Sequence, residues 1–109
     1  MKVGILGTGA YGLALALSFL ENTKEITMWT KIEQEYQTLS ETRRHPTALP
    51  GITIPTEITI THNMEEATFD KEIIVIAIPT EYIDPVLEEL KLYLTNQIIL
   101  IASKGVSID

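Results

Sequence analysis

A chain of 109 residues can build one domain around a single core, and is short for a complete two-substrate enzyme. Hydrophobic residues make up 45% of it, which marks a globular chain, and the absence of cysteine excludes disulfides and thiolate metal sites. A net charge of −7 argues against a nucleic-acid surface, where phosphates must be met by clustered Lys and Arg.

The first strand is read at "KVGILG" (2–7), a continuous apolar run ending in glycine, as in a strand buried on both faces. Apolar residues then continue from Ala10 to Leu20 until Asn22 and Thr23 stop them, which predicts a buried helix over about 10–22. Lys2 and the run Leu13 to Leu17 imitate a secretion signal. However, glycines precede the run and the polar "ENTKE" follows it, with no small-residue cleavage site.

"EITMWT" (25–30) is rich in β-branched and aromatic residues and reads as the second strand. Ile32, Tyr36 and Leu39 share one helical face, in a helix that must end before Pro46. Arg43 and Arg44, the one locally basic pair, read as solvated charge. "RHPTALPGITIPT" (44–56), with three prolines and a glycine, is a loop.

"EITIT" (57–61) is a short strand, after which Asn63 can cap a brief helix through Thr68. "EIIVIAI" (72–78) is fully apolar and stopped by Pro79. Asp84-Pro85 has the chemistry of a helix start, with an apolar stripe behind it from Val86, Leu87, Leu90 and Leu94. "QIILIAS" (97–103) is the last strand. The apolar runs "IIVIAIP" and "IILIA" fall far short of the roughly 20 residues of a membrane span, so a soluble chain with no membrane partner is expected.

Strands without polar alternation that alternate with helices predict an α/β fold, a Rossmann-like doubly wound parallel sheet with helices on both faces. The expected strand order is 3-2-1-4-5, with a ligand outside the carboxyl ends of the strands. Gly7, Pro79 and Ser103-Lys104 all fall at such ends.

Gly7-Thr8-Gly9-Ala10-Tyr11-Gly12 fits G-x-G-x-x-G between a strand and a helix. In a dinucleotide site Gly7 makes the tight turn, Gly9 lets backbone approach a pyrophosphate, and Gly12 lets the helix pack on the sheet. The plain alternative is a glycine-rich turn with no ligand. At the end of the second strand, where NAD sites carry an acid, stands Lys31, and the first acid, Glu33, falls in the next helix. Lysine suits a 2′-phosphate, so NADP is favoured over NAD, unless Lys31 is simply solvated. His45 and His62 lack metal-ligand spacing, no G-x-S-x-G elbow exists, and the glycine turn is not a P-loop. Met28 and Trp29 read as core of a central strand.

"GTGAYGLALA", "MWTK", "LPGITIP", "IAIPTEYI" and "IASKGV" stand in the order and spacing of NAD(P)-dependent glycerol-3-phosphate dehydrogenases. The chain resembles the first part of such an enzyme, from Met1 to its end. The glycine turn is shared with many dehydrogenases; the "LPG" loop and "SKG" are far more specific. The resemblance implies reduction of dihydroxyacetone phosphate by NAD(P)H to sn-glycerol 3-phosphate for phospholipid synthesis, in a cytoplasmic, homodimeric full-length enzyme.

Residue by residue, the resemblance gives the pyrophosphate turn to Gly7 through Gly12, with Ala10 and Tyr11 nearest the cofactor. Lys31 matches a cofactor-contacting position, and Tyr82, after Pro79, matches an aromatic beside the cofactor. Lys104 matches a lysine between nicotinamide and substrate. Ala10-Tyr11 departs from a common Ser-Trp pair, and Ala48 from a common tyrosine.

The family's general-acid lysine and substrate-phosphate ligands lie on a helical C-terminal domain. Residues 1–109 are therefore expected to be an N-terminal NAD(P)-binding domain, a fragment of the whole enzyme and inactive alone. Two other readings stay open. One is a dehydrogenase of the same architecture acting on a 3-hydroxy acid, ketopantoate or pyrroline carboxylate. The other is a nucleotide-sensing module without catalysis.

Overall fold

A computed structural model describes residues 1–23, 25–44 and 51–102. In chain order the elements are β1 (Lys2–Leu6), α1 (Ala10–Leu20), β2 (Glu25–Trp29), α2 (Glu33–Thr42), β3 (Ile58–Thr61), α3 (Met64–Thr68), β4 (Ile73–Ile76), α4 (Ile83–Leu90) and β5 (Ile98–Ile101). The strands form one five-stranded sheet of order β3-β2-β1-β4-β5. Every pairing is parallel, with Val3 beside Ile26 and Ile73, and Ile26 beside Ile58. Both the α/β class and the strand order expected from the sequence are found.

Side-chain alternation along the strands builds two cores. Val3, Ile5, Ile26, Met28, Ile58, Ile60 and Val75 point to one face, where Leu13 and Ala16 of α1 and Leu39 of α2 cover them. Leu6, Trp29, Ile74 and Ile76 point to the other, under Met64 and Ala67 of α3 and Val86 and Leu90 of α4. Burial on both faces is why these strands carry no polar alternation. Gly4 belongs to the second face, where a Cβ would come within 2.2 Å of the Ala67 carbonyl oxygen; α3 can cross β1 there only over a bare backbone.

The same turn is built twice where a strand enters a helix. After β2, the Ile32 N–H donates to Thr30 Oγ1 (3.2 Å), and that hydroxyl donates to Glu35 Oε1 (2.6 Å). After β3, the Asn63 N–H donates to Thr61 Oγ1 (3.0 Å), and that hydroxyl donates to Glu66 Oε1 (2.7 Å). Asn63 also caps α3 as expected, its side chain accepting from the Glu66 N–H.

Three local details differ from the sequence expectation. A single 3₁₀ turn over Thr80–Tyr82 leads straight into α4, so Asp84 and Pro85 stand in its first turn and Asp84 does not cap it. Leu94 lies beyond the end of α4, although it still packs on the second core. Arg43 is not solvated charge. It closes α2 in the left-handed region (φ 58°) and its guanidinium donates to the carbonyls of Ile58 (2.6 Å) and Pro55 (3.4 Å). With the Ile54 N–H donating back to the Arg43 carbonyl (2.7 Å), it ties the segment before β3 to the end of α2.

Candidate functional site

The carboxyl ends of the strands are stitched into one rim. The Gly7 N–H donates to the Trp29 carbonyl (2.8 Å), that of Ala77 to Leu6 (2.9 Å), and that of Ala102 to Ile76 (2.8 Å). Above the rim lies a cleft of about 460 Å³, bounded by Gly7, Thr8 and Gly9, by the end of β2 from Trp29 to Ile32, by Glu35, and by Ala77 to Pro79 and Tyr82. A second cleft of about 350 Å³ shares Gly9 and runs along Ala10, Tyr11 and residues 77–81. These clefts lie outside the carboxyl ends of β1 and β4, where the strand order reverses, the position at which open parallel sheets take ligands.

The three glycines of the turn face different constraints. Gly7 has φ +135°, which only glycine adopts readily, and a Cβ on it would come within 2.2 Å of the Ala77 carbonyl oxygen. A Cβ on Gly12 would approach the Gly7 carbonyl oxygen to 2.8 Å. Gly9 is another matter. Its backbone is extended (φ −73°, ψ −175°), open to any residue, and a Cβ there would meet no described residue within 4 Å. The fold itself accounts for glycine at 7 and 12. At 9, the missing side chain leaves open space at the junction of both clefts.

Gly9 is also the N-cap of α1. The first helical bond runs from the Leu13 N–H to the Gly9 carbonyl (2.9 Å), so the amides before it have no partner within the helix. No side chain caps them and no acid stands in the first turn. The end of α1 thus offers donors and a partial positive charge toward an anion.

Thr8 is buried, and its hydroxyl donates to Glu35 Oε1, the oxygen that also accepts from Thr30. Glu35, in the first turn of α2, therefore reaches back to the glycine turn and the end of β2. Glu33, the first acid after β2 in sequence, is exposed on α2 and does not make these contacts. The signal that would have found Glu35 is a threonine five residues ahead of a glutamate, present at both strand exits.

Lys31 is exposed and lines the first cleft, as do Pro79 and the exposed Tyr82. Tyr11 and Ala10 line the second cleft, and Gly12 is buried behind the turn. Lys104, with Ser103, His45 and Ala48, lies outside the described residues. Trp29 is core, as expected, yet it is also cleft wall. Its buried indole Nε1–H finds no hydrogen-bond partner among the described residues. His62 stacks on Tyr36, with ring centroids 4.7 Å apart. Among the described residues no group of three His, Cys, Asp or Glu side chains could hold a metal ion, and no helix is long and apolar enough to cross a membrane.

The family described as the N-terminus of NAD-dependent glycerol-3-phosphate dehydrogenase matches residues 2–109. The chain is 38% identical over 109 residues to a glycerol-3-phosphate dehydrogenase [NAD(P)+] of Lactobacillus delbrueckii, covering 99% of the chain and 32% of that protein. It is 36% identical over 110 residues to one of Fusobacterium nucleatum, covering 100% of the chain and 33% of that protein. It thus spans about a third of the length of the curated relatives it matches. Among solved structures, a glycerol-3-phosphate dehydrogenase of Coxiella burnetii shares the fold with a TM-score of 0.87 at 19% identity, over 94% of this chain and 32% of that one.

Proposed function

Since this chain belongs to the family of N-terminal domains of NAD-dependent glycerol-3-phosphate dehydrogenases, we propose that it is the cofactor half of an enzyme reducing dihydroxyacetone phosphate to sn-glycerol 3-phosphate. The observation that carries this reading is Gly9, where the fold makes no demand for glycine but an approaching pyrophosphate does. The amides at the start of α1, left without partners inside the helix, fit a ligand rich in acceptors.

Bound NAD(P)H supplies the hydride that adds to the substrate carbonyl carbon. The amides at the start of α1 hold the pyrophosphate, and Gly9 admits it to close range. Tyr82 and Pro79 wall the cofactor beyond β4, with Ala10 and Tyr11 along the turn. Lys31 faces a 2′-phosphate when NADPH is the cofactor. Lys104, which the resemblance matches to a lysine between nicotinamide and substrate, would supply an ammonium to stabilise the negative charge growing on the carbonyl oxygen. The proton that completes the alcohol comes from a general acid of the substrate half.

That half is a helical domain following this one in the whole enzyme. The share of the relatives' length that this chain covers supports this. From the same resemblance we infer a cytoplasmic, homodimeric whole enzyme.

Steady-state oxidation of NADH and NADPH by the full-length protein, offered dihydroxyacetone phosphate, ketopantoate, pyrroline carboxylate or a 3-hydroxy acid's keto form, tests the reading. Turnover with dihydroxyacetone phosphate alone is expected. Preference for any of the others would overturn it.

A further inference from the structure

Glu35 stands where it can tell the two nicotinamide cofactors apart, an inference that rests on the cofactor site proposed above. Its carboxylate is half-buried and anchored by the buried hydroxyls of Thr8 and Thr30. The Thr61–Glu66 pair shows that the strand-exit turn takes a glutamate by itself, away from either cleft. What Glu35 adds is the bond to Thr8, which fixes the carboxylate between Gly7–Gly9 and the end of β2, on the wall of the first cleft. In doubly wound sheets the adenosine ribose lies at that strand end, where a carboxylate accepts from its hydroxyls.

Among the described residues, Lys31 and Glu35 both carry charge to the wall of this cleft. Lys31 is exposed on a flexible stem, so solvent and salt screen it. Glu35 is held in place and less exposed, so its field persists. A 2′-phosphate would meet this carboxylate as a like charge, whereas a 2′-hydroxyl can donate to it. We propose that Glu35 is a specificity-determining residue that disfavours the 2′-phosphate, so that this chain binds NADH more tightly than NADPH despite Lys31. Lys31 alone would favour the opposite cofactor, NADP.

The test titrates NADH and NADPH separately against the parent chain and the Glu35→Gln, Glu66→Gln and Gly9→Val variants. Quenching of Trp29, the single tryptophan and part of the cleft wall, is the readout. Gln keeps a side-chain oxygen for Thr8 and Thr30 but removes the charge. Glu35→Gln is expected to shift the affinity ratio toward NADPH by about tenfold, the size of one like-charge contact at a partly solvated site. Glu66→Gln, which alters the equivalent turn away from the cleft, should leave the ratio alone.

A parent chain that prefers NADPH, or a ratio unmoved by Glu35→Gln while Gly9→Val abolishes binding, overturns the assignment of Glu35 and leaves the site standing. Equal weakening of both cofactors by Glu35→Gln would likewise make Glu35 only a structural tie. Absence of binding to the parent, or binding that survives Gly9→Val unchanged, overturns the site reading itself.

Discussion

The carbonyl oxygen of Gly7 occupies the space that a side chain on Gly12 would need: a Cβ there would stand 2.8 Å away, against the backbone of the turn. Neither partner can easily yield, because Gly7 is itself held at φ +135° against Ala77. Gly12→Ala should therefore destabilise the domain by about 1–3 kcal/mol, the usual cost of overpacking a close contact. Urea unfolding followed by far-UV circular dichroism measures this; an unchanged midpoint would mean that the turn and α1 separate freely.

Lys31 should make a small, salt-sensitive contribution toward NADPH. It lines the first cleft from an exposed position, so a pair with a 2′-phosphate is worth only about 0–1 kcal/mol. Lys31→Glu should lower the NADPH/NADH affinity ratio, and the difference should fade as ionic strength rises. A ratio that ignores the substitution at low salt would remove Lys31 from the site.

Much of this site could be read from the sequence because it lies in contiguous runs. Gly7, Gly9 and Gly12 advertise themselves by spacing, and the fully apolar strands fix a two-faced sheet whose carboxyl edge holds them. Glu35 was hidden because its meaning depends on Thr8, which lies far away in sequence and comes near only when β1 and β2 pair. Arg43 was hidden for a related reason. An arginine pair at a helix end looks solvated until the chain before β3 folds back under the Arg43 guanidinium. Asp84-Pro85 misled by one turn, since the 3₁₀ segment at Thr80–Tyr82 had already turned the chain into helical conformation.

At the opposite edge of the sheet, Lys2 Nζ donates to Asp70 Oδ2 at 2.7 Å. That hydrogen bond, with the attraction of the two charges, holds the Asp70 carboxyl below its ordinary range and raises the Lys2 ammonium above its own. For Asp70 the stabilisation is present above the unfolded-state value and disappears as pH falls through the depressed folded-state value, below about pH 4. For Lys2 it is present below the ordinary lysine range and disappears as pH rises through the raised value. Asp70→Asn should remove both limbs while tolerating the left-handed backbone at that position (φ 60°). Both side chains lie at the solvent-accessible surface, so the effect should be small and salt-sensitive. Identical stability–pH curves at low salt would show that the pair contributes nothing.

Lys104 should act in turnover and not in cofactor capture. A preorganised cation beside a developing alkoxide or the substrate phosphate is worth on the order of 3 kcal/mol, roughly a hundredfold in rate. Lys104→Ala in the full-length enzyme should lower kcat/KM for dihydroxyacetone phosphate by about that factor, with NADH affinity nearly unchanged. Parent-like kinetics would reassign Lys104 to the surface.

The most direct test of the whole account is a paired measurement on Gly9→Val, of cofactor affinity by Trp29 quenching and of stability by urea unfolding. No described residue comes within 4 Å of a Cβ on Gly9, and its extended backbone accepts valine. Stability should therefore fall by no more than about 1 kcal/mol, the cost of losing a good N-cap residue. Affinity for NADH and NADPH should be lost together, because the new side chain stands where the pyrophosphate must lie. A folded Gly9→Val chain that binds either cofactor as tightly as the parent would contradict the account.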